Sequence, residues 1–374
     1  MKFSVNTKEL IRVLSNIQGI IDKSGQNQLS NVFLHAIDDK LVLNATNNQL
    51  TLLDKIDASI EEEGLICVKA HRFLQVVRSL NDSITSISLK RMILSVTSGK
   101  ARFNIKECSP ADDFPPYAPP QSEDKITIKN SELRRMLGET IFSIMKPERQ
   151  NLNGASVELH EKTEGNYFRM VTTDGTRLSI SEIPYSGSVD SSKLHQILIP
   201  QKALQELLQL TNSYGDQSWT LVFGEKKACF SIENLEFSFT LLTGKFPEYN
   251  MIIKKILGEK NVQIDKKYFS SVLKRVSVFH SKNANSVMFS FSPNQLEVSF
   301  TNSDIGDFRE SFEVDYTHDA FSISFNLSFF QELLGALDAE IIQLEMDDPM
   351  RPCLITVPKR NDCSFVIMPM RHNT

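Results

Sequence analysis

Cysteine is scarce: the 374 residues hold five, at Cys67, Cys108, Cys229, Cys353 and Cys363. The number is odd and no two are spaced C-x-x-C, which argues against both a disulfide framework and a zinc knuckle. Long apolar runs are missing as well. Nowhere do about 18 uncharged apolar residues follow one another, and the opening MKFSVNTKEL has neither the basic flank nor the apolar stretch of a signal peptide. A cytoplasmic protein with no membrane partner is expected. No P-loop, G-x-S-x-G or H-E-x-x-H occurs, and the seven histidines are scattered without a second metal-ligand type at helical spacing. Neither catalysis, a metal site nor a cofactor is expected. Positive charge is in deficit too: the net charge of −5, taken alone, points away from nucleic acid.

The rest of the composition is that of a globular protein, 41% hydrophobic and 23% charged, with 15 Gly and 14 Pro and no low-complexity tract. At roughly 100 to 200 residues per domain, the length suggests two or three domains. Internal repetition favours three. FPPY at 114 to 117 and FPEY at 246 to 249 lie 132 residues apart, and Thr46, Thr173 and Thr301 lie 127 and 128 apart. Each of these threonines closes an alternating apolar run and precedes Asn or Asp, a half-buried strand followed by a turn. A helix near the start of each unit repeats apolar residues at relative positions 0, 3 and 4: Leu10, Val13, Leu14; Leu133, Met136, Leu137; Phe269, Val272, Leu273. A strand running into a second helix repeats from Val68, Ile199 and Phe325.

The chain therefore reads as an α+β protein of three copies of a unit of about 125 residues, at 1–123, 124–253 and 254–374, each with two amphipathic helices and antiparallel sheets. Phe-Pro-x-Tyr ends the first two units, where Pro stops strand pairing and the aromatics pin the exit against the unit just finished. The helix windows (7–23, 70–80, 131–149, 201–211, 265–282, 327–338) are together net basic and the remainder strongly acidic. Such a split suits helices that line one surface facing a polyanion. Asp174 reads as a turn residue, since Asn47 and Asn302 occupy its place in the other repeats, and EMDDP at 345 to 349 reads as a solvated loop.

The three-fold repetition, VTTDGTRLSI at 171 to 180, LLTGKFPEY at 241 to 249 and VIMPMR at 366 to 371 resemble the bacterial replicative sliding clamp, the beta subunit of DNA polymerase III, over essentially the whole chain. The resemblance implies a head-to-tail homodimer closed into a ring, with helices inside around double-stranded DNA and sheets outside. It implies a non-catalytic processivity factor that tethers the replicative polymerase without sequence specificity. Residues expected to face DNA are Lys23, His71, Arg72, Arg78, Lys146, Arg149, Gln150, Lys202, Lys274 and Arg275. The resemblance further implies a groove that takes short linear peptides from polymerases, the clamp loader and repair proteins. Its positions here are Leu152, Thr173, Gly175, Thr176, Arg177, Leu178, Pro247, Ile252, Val366, Met368, Pro369, Met370 and Arg371. At the ring seam, Phe103 and Ile105 are expected to meet Val278 and Phe279. A peptide-binding scaffold that never encircles DNA is the alternative.

Overall fold

The computed structural model describes residues 1–22, 28–145, 153–163, 165–188, 196–253, 258–279 and 285–370. Seven α-helices are described: α1 (Thr7–Ile17), α2 (Ala70–Arg78), α3 (Asn130–Thr140), α4 (Gln201–Thr211), α5 (Asn250–Ile253), α6 (Lys266–Val276) and α7 (Leu327–Ala336). All but α5 fall in the three repeated pairs. The first helix of each pair follows a strand directly, and each has 11 residues. Asn6 caps α1 by accepting from the backbone N–H groups of Lys8 and Glu9, and Asp265 caps α6 by accepting from Tyr268 N. The first N–H of each helix donates to a carbonyl just before a later strand of its own repeat, at 2.8 Å in all three: Thr7 to Ser83, Asn130 to Gln217, Lys266 to Glu340.

Helix ends depart from the sequence windows. The window 7–23 ends as helix at Ile17, where Ile20 and Ile21 turn inward and are buried. Gln18 is the C-cap and Gly19, a poor helix former, follows it, although Ile20 and Ile21 continue the apolar spacing. Likewise α3 stops at Thr140 and α6 at Val276, each followed by one tighter 3₁₀ turn, Ile141–Ser143 and Ser277–Phe279.

The described residues form two compact units that share the second repeat. In one, a 14-stranded sheet combines nine strands of the first repeat with five of the second. In the other, an eight-stranded sheet joins four strands of the second repeat to four of the third, and a four-stranded sheet completes the third. All described strand pairs are antiparallel. The third repeat shows how the core is made. Phe269, Val272, Leu273 and Val276 of α6 and Phe330, Leu333 and Leu334 of α7 pack on Phe289, Phe291 and Phe325 of the sheet, with Phe325 and Phe330 rings 5.0 Å apart. Alternating strands and 3.6-period helices thus bury one face each.

One rule joins successive repeats. The strand after the Thr-Asx turn of one repeat pairs with the last strand of the next: Leu50–Glu62 with Leu235–Thr240, and Arg177–Pro184 with Cys363–Ile367. The turns that set this up share their chemistry. Asn47 Oδ1 accepts from Gln49 N and Leu50 N, Asp174 Oδ1 from Thr176 N and Arg177 N, and Asn302 Oδ1 from Asp304 N and Ile305 N. Asp174 is thus a turn residue like its two counterparts, because a short acceptor side chain closes the Asx turn on backbone donors.

Candidate functional site

The expected groove residues gather where the second repeat meets the third. Leu178 lies opposite Val366 in the ladder between the strands Arg177–Pro184 and Cys363–Ile367. Both are buried and share an apolar cluster with Val171, Ile180, Leu198, Phe246 and Tyr249. Thr173 is buried beside them, its Oγ1 donating to Arg177 O at 2.6 Å. Around this floor stand exposed groups: Gly175, Thr176 and Pro247, with Met368 at 39% exposure. Pro369 and Met370 are half-buried, and the tail is tied down by Met368 N to Thr176 O and Met370 N to Ser324 O, both 2.8 Å. A further apolar surface escaped the sequence reading: Met251, 61% exposed, on α5. Leu152, Arg371 and the side chain of Ile252 lie outside the described residues.

Arg177 is held by partners on several sides. Its Nε donates to Asp174 at 2.8 Å, Nη1 to Glu332 at 2.6 Å and Nη2 to the Phe142 carbonyl at 2.6 Å. The guanidinium also lies 4.4 Å from the Phe329 ring centre. With its side chain 9% exposed, Arg177 is a strut between repeats. Sequence alone did not show this, since Phe142, Phe329 and Glu332 are distant along the chain.

Phe-Pro-x-Tyr behaves differently at its two sites. Phe114 stacks on Phe33 of its own repeat at 5.4 Å, as expected, but the Tyr117 hydroxyl reaches forward to Glu236 at 2.8 Å and Ser238 at 3.0 Å in the second repeat. Tyr249 stays with its own repeat, donating to Glu158 at 2.7 Å and accepting from Arg169. Burial pushes the Tyr249 phenol up to about 12, so the hydroxyl stays a donor at neutral pH.

The far end of the same ladder holds an unexpected charge cluster. Glu139 of α3 is 1% exposed and accepts from Arg135 at 3.1 Å, Ser181 at 2.6 Å and Arg360 at 2.8 Å. Asp362 pairs with Arg135 and Arg360, each at 2.9 Å. Burial works against the Asp362 carboxylate, but the Arg360 hydrogen bond and both guanidinium charges hold its pKa below the ordinary value.

Of the basic candidates, His71, Arg72, Arg78, Lys202, Lys274 and Arg275 are exposed on helices. Three have carboxylate partners: Arg72 with Glu107, Lys202 with Glu206 and Arg275 with Glu310. Arg78 donates to Ser15 Oγ at 2.9 Å. Lys23, Lys146, Arg149 and Gln150 lie outside the described residues. At the expected seam, Phe103 is 37% and Val278 80% exposed, Phe279 stacks on Phe300, and Ile105 is buried within its own chain. No group of three or more His, Cys, Asp or Glu suited to a metal ion is present among the described residues.

Family models of the DNA polymerase III beta subunit match in chain order: its N-terminal domain over residues 1–118, its central domain over 127–248 and its C-terminal domain over 257–371. The beta sliding clamp of Haemophilus influenzae is 28% identical over 375 residues, covering 99% of this chain and all of that protein. Among solved structures, the sliding clamp of Bartonella birtlesii bound to griselimycin superposes with a TM-score of 0.93 at 26% identity, covering both chains in full. That of Pseudomonas aeruginosa bound to griselimycin gives 0.92 at 25%, also in full. With matching domains in order, full-length relatives and the same three-repeat architecture, the chain belongs to the DNA polymerase III beta subunit family, the bacterial sliding clamps.

Proposed function

We propose that two copies of this chain close head to tail around duplex DNA and tether the replicative polymerase, without catalysing a reaction themselves. The observation that carries the reading is the pair of unmatched edges left by the rule that joins the repeats. By that rule Gly306–Glu313, the strand after the third turn, should meet the last strand of a following repeat, and Ala101–Ile105, the last strand of the first but for the two-residue Cys108–Ser109, should meet a preceding one. Among the described residues each stands at the end of its sheet. One edge is flanked by Lys100, Arg102 and Lys106, the other by Asp304, Asp307, Glu310 and Glu313. Two complementary edges on one chain make a heterologous contact, which closes if the rotation allows.

Non-specific phosphate contacts then permit sliding, because they carry no sequence information. Lys274 is exposed and has no carboxylate partner among the described residues, so it contributes charge more freely than the paired Arg72, Lys202 and Arg275. The apolar floor of Leu178 and Val366 suits short peptides of polymerase, clamp loader and repair proteins, and the exposed methionines beside it adapt to several partners. No described helix is long and apolar enough to cross a membrane, in keeping with a cytoplasmic role. The test is retention on circular DNA with loss from the same DNA made linear. Deletion of Met368–Thr374 should keep that retention and abolish capture of polymerase-derived peptides. Equal retention on both DNA forms would leave only a peptide-binding scaffold.

A further inference from the structure

The ladder between Arg177–Pro184 and Cys363–Ile367 turns its two faces to different surroundings. Side chains alternate along a strand, so Ser181 points to α3, where its hydroxyl donates to Glu139 at 2.6 Å, while Leu178, Ile180 and Glu182 share the opposite face. Along that face the lining changes from apolar to polar. Leu178 stands opposite Val366 and Ile180 opposite Ser364, and the Glu182 N–H donates to Asp362 O at 2.7 Å. From Leu178 to Glu182 the strand advances about 13 Å.

The apolar floor does not end against protein. Past Ile180 and Ser364 lies a cavity of about 630 Å³, bordered by Asn250 and Ile253 of α5, by Thr356 and by the turn from Val357 to Asp362. The equivalent place at the joint between the first and second repeats is closed. There Leu53 stands opposite Glu236, and Glu236 receives the Tyr117 hydroxyl. Tyr249, the match to Tyr117 in the second repeat, is drawn away to Glu158 and Arg169.

Most charges around the cavity are already engaged with one another. Glu182, 6% exposed, accepts from Arg169 Nε at 2.6 Å, and Arg360 donates to Asp362 at 2.9 Å and to Glu139 at 2.8 Å. Two further charges, Lys359 and Glu345, are opposite in sign, so a charged guest gains from one and loses to the other. Asn250, Thr356 and Ser364, in contrast, make no side-chain hydrogen bond among the described residues. They offer donors and acceptors to a neutral guest.

We propose that the peptide groove continues past its apolar anchor into this cavity, and that the cavity takes a polar, uncharged stretch of the partner peptide, rich in Ser, Asn or Gln, on the side of the anchor away from Met368. The inference deepens the peptide-binding reading and rests on it. The anchor supplies burial and the flank supplies hydrogen bonds, so partners that share an anchor are ranked by their flanks.

Titration calorimetry on the full-length protein tests this with synthetic peptides that carry one apolar anchor and about four further residues on one end or the other. The added residues are Ser-Asn-Gln-Ser or all Ala, with all-Asp and all-Lys versions as controls. On one end only, the Ser-Asn-Gln-Ser flank should bind about tenfold tighter than the Ala flank, and neither charged flank should bind as tightly. Ser364→Phe should fill the cavity and make the polar and Ala peptides bind alike. Should that variant not fold, Thr356→Val keeps the shape, removes a hydroxyl and should narrow the difference. Equal affinity for polar and Ala flanks on both ends in the wild type, a charged flank that binds tightest, or a Ser364→Phe protein that still tells the flanks apart would overturn the proposal. Ala-flanked peptides whose affinity is unchanged by Leu178→Thr with Val366→Ser would instead refute the groove itself, and the extension with it.

Discussion

The joint between the first and second repeats and the joint between the second and third are built on one frame and lined by opposite chemistry. At the same ladder position, one step past the Asx turn, the first has Thr51 opposite Ser238 and the second has Leu178 opposite Val366. In the first, the Tyr117 hydroxyl fills the slot by bonding Ser238 and Glu236, and only a cavity of about 70 Å³ is left among Thr46, Gln49, Pro116 and Lys227. In the second, Phe246 and Tyr249 pack beneath an apolar floor. Repetition therefore supplied two equivalent slots, one lined by hydroxyls and the other by apolar side chains. Buried hydroxyls that already satisfy one another gain nothing from an apolar guest, which would leave them unpaired.

Exchanging the linings tests this most severely. Leu178→Thr with Val366→Ser should weaken capture of polymerase-derived peptides about 100-fold or more, because a few buried anchors carry most of such a small interface. Titration calorimetry would show it, and the reciprocal Thr51→Leu with Ser238→Val should leave peptide affinity unchanged. Native affinity in the first variant would mean the anchor sits elsewhere. A smaller effect is expected from Tyr117→Phe, which should cost about 1 kcal/mol in denaturant unfolding, the usual worth of a lost hydrogen bond. It should not alter peptide binding. A peptide effect from that variant would contradict the separation of the two slots.

The smallest effect is in acid. Burial raises the Asp54 pKa above its ordinary value against the pull of Arg12, whereas Asp362 is lowered. A lowered carboxylate contributes stability that is present above its unfolded pKa and is lost as pH falls through the folded one. A raised carboxylate contributes most at low pH and less as pH rises. As pH falls below about 4, then, amides of Cys363–Ile367 should lose protection while those of Leu235–Thr240 do not. Parallel loss at both ladders would show that Asp54 and Asp362 do not differ in this way.

Much of this was legible because it is local. The three Thr-Asx turns, the apolar faces of α1, α3 and α6, and the equivalence of Asp174 with Asn47 and Asn302 all depend on residues within a few positions of one another. The same holds for Leu178 and Val366 as groove candidates, where the resemblance pointed to short motifs. Helix ends were less legible, as the stop at Ile17 shows: the apolar spacing runs on through Ile20 and Ile21, and Gly19 after the cap is the single local sign of an end. The partners of Arg177 were not legible, since the Phe142 carbonyl, Phe329 and Glu332 that hold it are distant in sequence.

The sequence by itself determined that there are three repeats, that each has two amphipathic helices and antiparallel strands, and that the Asx turn recurs, because periodicity and turn chemistry are written in neighbouring residues. Only the tertiary structure decided what each repeated position does. Arg12 stands in a helix whose sequence gives no sign that Asp54 lies buried beside it, and Tyr117 and Tyr249 share a motif while one bonds the following repeat and the other its own. A polar side chain takes its role from the partners that desolvation forces it to find, and those partners are brought by the fold from far along the chain.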